Sequence, residues 1–311
     1  MKNIFFSILF VCSSLYATAQ ESVYIWRKDG KVDKYLIAGL DSISLVGPSS
    51  EEPNPVNPTP DEPQQITMYV RGDNMDMDGP CAYEWKDNMG PNGGGVLCYP
   101  KELTSNPNER HPVVIFCPGG GEKPSTQPVL IKRLASMGFI VYSQPSTWDG
   151  VDAKKAFDWI EQMNNDPAAR FYNKLNMERV GICGHSQGGV MAESCANMDA
   201  RVATLMLMNS GDFEHDGAIK LTIPTGFITG HTDMAYDNAT GDYGNSQNIA
   251  PMWLGIKGNE GHGYGPWGGV PTVVAWMRWH LCGEEFRRAD FLTNGGAYCN
   301  ANGWETKFKN W

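Results

Sequence analysis

No G-x-x-x-x-G-K-[ST] occurs in the chain, so it holds no P-loop to cradle a nucleotide phosphate. Positive charge is also short: 35 acidic against 25 basic residues leave a formal charge of -10 over 311 residues. A nucleic-acid partner draws its affinity from clustered Lys and Arg, so that class is set aside. Beyond the first residues no apolar run is long enough to span a membrane, and no solenoid-type repeat recurs. The carboxylates of "DNMDMDG" are spaced somewhat like a calcium loop, but the closing Glu is missing. That stretch reads as a solvated turn, and no metal ligand is expected.

What is present divides the chain into four parts. "MKNIFFSILFVCSSLYATAQ" joins a lysine to an apolar stretch of about a dozen residues and ends with Ala17 and Ala19 in A-x-A spacing. Residues 1–19 therefore read as a cleaved secretory signal, and the protein as exported. Residues 20–46 place alternating apolar residues around Asp29-Gly30, a short β-hairpin appendage. Residues 47–64 string prolines among acidic and small polar residues, an extended linker. Residues 65–311 form the main unit, for which a monomer is favoured.

Removal of the signal takes Cys12 with it and leaves seven cysteines in an oxidising compartment. Cys81 and Cys98 lie in two short apolar runs joined by "KDNMGPNGGG", which predicts a bridge across a hairpin. Cys282 and Cys299 bracket a C-terminal excursion whose closure would contribute ~3 kcal/mol on the chain-entropy model. Cys117, Cys183 and Cys195 end or enter apolar elements and are expected as buried thiols.

The main unit repeats an apolar run, a Gly-rich or polar turn, and an amphipathic segment. "PVVIFCPGGG", "GFIVYSQPS", "RVGICGHS", "VATLMLMNSG", "TGFITGHTD" and "MWLGIKGNEGHG" are nearly continuous in apolar residues. Such runs mark strands covered on both faces, as in a parallel sheet. "TQPVLIKRLASM" and "VDAKKAFDWIEQMNN" place apolar residues three and four apart, as covering helices require.

Gly184-His185-Ser186-Gln187-Gly188 is a G-x-S-x-G between a strand-like and a helix-like run. Glycines there let a strained strand-to-helix turn pack closely, and the following helix directs positive partial charge at the serine. Ser186 is therefore the candidate nucleophile. A base and an orienting carboxylate should follow in the order Asp, His. Of six histidines, His262 ends the last strand-like run in the Gly-rich "GNEGHGYGPWGG" and is the candidate base. Asp233, closing "PTGFITGHTD", is the favoured acid, with Asp212 in "NSGDFEHDG" as the alternative. The oxyanion donors are the backbone amides of Gln187 and of Gly120 in "CPGGGEKPS", with Gly121 as the alternative to Gly120.

From about Asp78 to the C-terminus the chain resembles the α/β-hydrolase branch of bacterial cutinases and polyester (PET) hydrolases, near the dienelactone hydrolase-like esterases. "DGPCAYEW", "GGGVLCYP", "VVIFCPGGG", "LIKRLASMGFIVYSQPS", "ERVGICGHSQGG", "IPTGFITGHTD", "GNEGHG" and "VVAWMRWHLCGEE" carry the likeness. It implies an α/β fold with an eight-stranded, mostly parallel sheet, no cofactor, and a secreted serine ester hydrolase using Ser186, Asp233 and His262. Gly120 stands where polyester hydrolases carry an aromatic side chain, and Gln187 where they carry methionine; both changes keep the backbone donors and remove apolar contact from the cleft. Acetyl or feruloyl esters of plant glycans are thus an alternative substrate class, and a secreted non-catalytic binding protein is the rival reading. An open cleft is expected, with walls from Phe213, Trp148 and Trp267.

Overall fold

Near-continuous apolar runs become strands because both faces of the sheet they build are covered. The computed structural model describes residues 66–311 and two earlier strands, β1 (Ser22–Trp26) and β2 (Val32–Leu36). The chain divides into units 1–62 and 63–311. In the first, β1 and β2 pair antiparallel, Ser22 opposite Leu36 and Trp26 opposite Val32. The expected signal, the Asp29-Gly30 turn and the linker at 47–64 lie outside the described residues.

The second unit runs β3 (Thr67–Met68), β4 (Tyr83–Met89), β5 (Gly95–Pro100), β6 (Glu109–Arg110), β7 (Val113–Cys117), α1 (Pro128–Ser136), β8 (Ile140–Ser143), α2 (Val151–Asn165), β9 (Val180–His185), α3 (Gln187–Met198) and β10 (Val202–Met208). It continues with β11 (Thr225–Thr229), α4 (Tyr236–Gly244), β12 (Met252–Lys257), α5 (Tyr264–Trp267), α6 (Val270–Cys282), α7 (Arg288–Leu292) and β13 (Trp304–Lys309). The main sheet is α/β in character, in the order β13-β12-β11-β10-β9-β7-β8-β5-β4. Its centre, from β8 to β12, is parallel, and its edges β5, β4 and β13 run antiparallel to their neighbours. The sheet has nine strands where eight were expected; at one edge β4 forms a hairpin with β5, and at the other β13 returns antiparallel against β12 after α7. No helix among the described residues is long and apolar enough to cross a membrane.

Alternation along β7 shows how the layers form. Val113, Ile115 and Cys117 pack with Ala153, Phe157 and Ile160 of α2 and Met191 of α3. Val114 and Phe116 pack on the opposite face with Leu130, Ile131 and Leu134 of α1 and Val273 and Met277 of α6. Each such fully buried side chain contributes ~1.5–3 kcal/mol by leaving water. Parallel strands point their C-terminal ends the same way, so the loops after β7, β9, β10, β11 and β12 gather along one edge.

The expected disulfides are corrected by this register. All seven cysteines from Cys81 to Cys299 are free thiols. Cys98 lies opposite Trp85, four residues along the chain from Cys81. That offset is ~13 Å of extended chain, well past the ~7 Å that a disulfide tolerates between Cα atoms. Cys81 instead donates its N–H to the Ser136 carbonyl at 2.9 Å. Cys282 ends α6 close to His280, whose carbonyl accepts from Arg179 just before β9. Cys299 sits in a turn whose neighbours Tyr298 and Asn300 bond to Thr306, opposite Gly255 within β12. A thiol titration of the denatured, unreduced protein should therefore count every cysteine from Cys81 to Cys299 as reactive. A deficit of two thiols on that titration would restore a bridge.

Candidate active site

Ser186 occupies a turn that most residues avoid. Its φ of 52° and ψ of -126° lie between the end of β9 and the first residue of α3, a conformation that stores ~1–3 kcal/mol of strain. Two glycines make the turn possible. A Cβ on Gly184 would stand 2.1 Å from the Gly188 carbonyl oxygen, and one on Gly188 would stand 2.1 Å from that of Cys117. The serine is further pinned by its N–H to Met208 O at 3.1 Å and by the Ser210 hydroxyl, which donates to Ser186 O at 2.6 Å.

His262 reaches the serine from the loop after β12. Its Nε2 lies 2.9 Å from Ser186 Oγ, and its Nδ1 2.7 Å from Asp233 Oδ1. The carboxylate beside Nδ1 assigns the proton to that nitrogen, leaving Nε2 to accept from the hydroxyl. Asp212 takes no part in this chain; its Oδ2 accepts the amides of Glu214 and Asp216. The other histidines are engaged elsewhere. His111 bonds Gly138 O and the Thr104 amide, and burial pulls its pKa down to about 4. His280 stacks on Trp279, with burial again pulling it down, to about 3. His231 pairs with Glu305 at 3.3 Å, and the His215 ring packs against Gly241.

Asp233 is 6% exposed. Its second oxygen accepts Asn209 Nδ2 at 2.6 Å and the Thr229 hydroxyl at 2.8 Å, while Oδ1 also accepts the Ala235 amide at 3.0 Å. Burial alone would raise its pKa; the bonds from His262, Ala235, Asn209 and Thr229 outweigh it and hold the carboxyl below its ordinary value. Asn209 also accepts the Gly265 amide at 2.6 Å and so ties α5 to the same knot. Sequence reasoning missed Asn209 and Thr229. Asn209 had one visible signal, its place directly after the apolar run of β10.

The loop after β7 faces the serine from the other side. Gly120 and Gln187 border the same cavity of about 260 Å³ as Ser186 and His262. The Gln187 amide belongs to the first turn of α3 and has no acceptor within the helix. Glu122, also missed by sequence reasoning, holds this loop: its Oε2 accepts the Gly119 amide at 2.9 Å and Gln127 Nε2 at 3.2 Å. His185, inside the elbow, spans both sides. Its Nε2 lies 2.8 Å from His262 O and its Nδ1 3.7 Å from Glu122.

Phe213 and Trp148 wall the cavity, 64% and 58% exposed, with ring centroids 5.9 Å apart. Trp267 does not join them; the single turn of α5 places it beyond His262 and outside the cavity wall. Met234, beside Asp233 and 80% exposed, lines the cavity instead.

Asn209→Ala strips a donor from the buried Asp233 carboxylate and an acceptor from Gly265. It should lower stability by about 1–3 kcal/mol in urea unfolding. The depressed pKa of Asp233 means that its contribution is present above the ordinary carboxylate range and is lost as pH falls through the folded value. Weaker hydrogen bonding in the variant should move that acid loss to higher pH, and an unfolding midpoint that matches wild type at every pH would contradict the assigned role of Asn209.

Against known proteins, residues 79–295 match the PETase family, described as PET hydrolase-like. Three relatives share 30% identity with the chain over 101 residues, 31% of its length: cutinase 2 of Thermobifida cellulosilytica, cutinase est1 of Thermobifida alba and cutinase cut1 of Thermobifida fusca. The matched stretch spans 37%, 32% and 30% of those proteins respectively, about a third of the length of each. The family match covers well over half of the chain, on a mixed sheet flanked by helices: the chain belongs to the PET hydrolase-like family of α/β-hydrolases.

Proposed function

We propose that the protein is a serine carboxylic-ester hydrolase. The observation that carries this reading is the chain of hydrogen bonds from Asp233 through His262 to Ser186 Oγ, at 2.7 and 2.9 Å, opening on the cleft. Ser186 attacks the acyl carbon while His262 Nε2 takes its proton. The amides of Gln187 and Gly120 receive the oxyanion, and Asp233 stabilises the imidazolium. Nε2 then protonates the departing alcohol, leaving an acyl-enzyme. Water, deprotonated by the same nitrogen, releases the acid and restores the serine.

The substrate class follows from the cleft. The 260 Å³ cavity is walled by exposed Phe213 and Trp148, a shape suited to flat or cyclic groups of a bulky or polymeric ester. A second reading, an esterase for acyl groups on glycans, is favoured by Gln187, whose amide stands at the cavity beside Gly120. Export follows from the reading of residues 1–19 as a signal.

Hydrolysis of p-nitrophenyl acetate tests the reaction. Ser186→Ala, His262→Ala and Asp233→Asn should each lower kcat by several decades, toward the ~10⁴–10⁶ seen for such constellations, with the fold retained by circular dichroism. Undiminished turnover in Ser186→Ala would end the proposal, and a folded wild type with no turnover would favour the binding-protein reading. Phe213→Ala should lower kcat/KM for bulky aryl or glycan esters more than for the acetate ester, since the ratio reports differential transition-state binding. An equal loss on both removes Phe213 from recognition.

A further inference from the structure

Beneath the wall that carries Phe213 lie two acids with no basic partner among the described residues. Glu193 on α3 is 2% exposed and Asp242 on α4 is fully buried. Their carboxyl groups lie close enough to act on each other, and two buried carboxyls can bond to each other only when one of them keeps its proton. Neither Glu193 Oε1 nor Asp242 Oδ1 has a hydrogen-bond partner among the described residues.

The pair supports the loop from both ends. Asp242 Oδ2 accepts the Asp212 amide at 3.0 Å, and the Ala218 backbone lies beside the same carboxyl. Between them, the Gly217 backbone rests on Glu193; a Cβ there would lie 2.2 Å from Glu193 Oε2. The loop thus held presents Phe213 to Trp148 across the cleft.

We propose that Glu193 and Asp242 share one proton and through it position the Asp212–Ala218 loop, so that the cleft wall at Phe213 loosens as the pair ionises with rising pH. The groups that face the pair are themselves acidic: Asp242 from α4, with Asp212 and Asp216 from the loop, act on Glu193. Glu193 and Asp212 act on Asp242. His215 of the loop turns its ring onto Gly241 of α4, and Lys220 stands exposed at the rim of the adjoining groove. Burial first, then Asp242, pushes the Glu193 carboxyl well above its ordinary value; burial also raises Asp242. A raised acid binds its proton more tightly folded than unfolded. Its stabilisation is complete below the ordinary carboxyl range and is lost as pH rises through the folded value. Loop opening therefore becomes easier toward alkaline pH.

Glu193→Gln is the informative variant, because its amide donates to ionised Asp242 at any pH. Hydrogen exchange of the Asp212–Ala218 amides in the full chain, corrected for intrinsic rates, compares about pH 5 with about pH 9. Wild-type protection should drop about tenfold or more at the higher pH, and the drop should vanish in Glu193→Gln. Constant wild-type protection, or an equal drop in a folded Glu193→Gln, would overturn the proposal; if the variant does not fold, the wild-type comparison alone decides. A second readout rests on the hydrolase reading: kcat/KM for a bulky aryl ester relative to p-nitrophenyl acetate should fall with pH in wild type and stay level in the variant. Absence of any turnover would sink the hydrolase reading and leave the exchange result to judge the proton-sharing pair.

Discussion

A negative charge taken out of water at Asp233 organises the edge of the sheet that carries Ser186 and His262. An unpaired buried carboxylate costs several kcal/mol, so the chain supplies donors from every segment that converges there. Thr229 comes from the end of β11, Asn209 from the loop after β10, the Ala235 amide from the approach to α4, and His262 from the loop after β12. None of these segments can shift without unsatisfying the charge. The imidazole is consequently fixed at one end by Asp233 and delivered at the other to Ser186.

The serine turn depends on a different constraint, close backbone approach. Gly184 and Gly188 leave no room for a Cβ against the carbonyls of Gly188 and Cys117, so α3 sits directly on β7 and the strained serine is held from below. His185 then joins the two halves of the site. It meets the backbone of His262 on one side and faces Glu122, which fastens the Gly119 amide, on the other. Ser186, His262 and the loop after β7 are thus brought together in spite of their separation in sequence.

What the sequence disclosed was whatever depends on neighbours along the chain. The elbow is a five-residue pattern, the buried strands are apolar runs, and Ser186, Asp233 and His262 each follow a strand, so the fold class and the hydrogen-bonded chain were legible. Features set by register and by side-chain direction were not. The Cys81 to Cys98 pairing looked sound from two facing runs, yet the register puts Trp85 opposite Cys98. Trp267 shared a Gly-rich loop with His262 but does not line the cavity. Asn209, Thr229 and Glu122 are polar residues without motif spacing, and their roles exist only after the strands align. The ninth strand was hidden because "WETKFK" alternates like an edge rather than a core.

The connection from β10 to β11 shows how chemistry and recognition are kept apart. Its first residues, Asn209 and Ser210, bond into the site itself, to Asp233 and to the Ser186 carbonyl. Its next stretch, from Asp212 to Ala218, carries Phe213 and leans on Asp242 and Glu193. The two parts rest on opposite electrostatic solutions. Asp233 is stabilised as an anion by surrounding donors, and acid weakens it; Glu193 and Asp242 are stabilised by a retained proton, and alkali weakens them. Loosening the wall therefore leaves the bonds of Asp233 and His262 intact, and a single short loop can change what the cleft admits without disturbing the bonds that would activate Ser186.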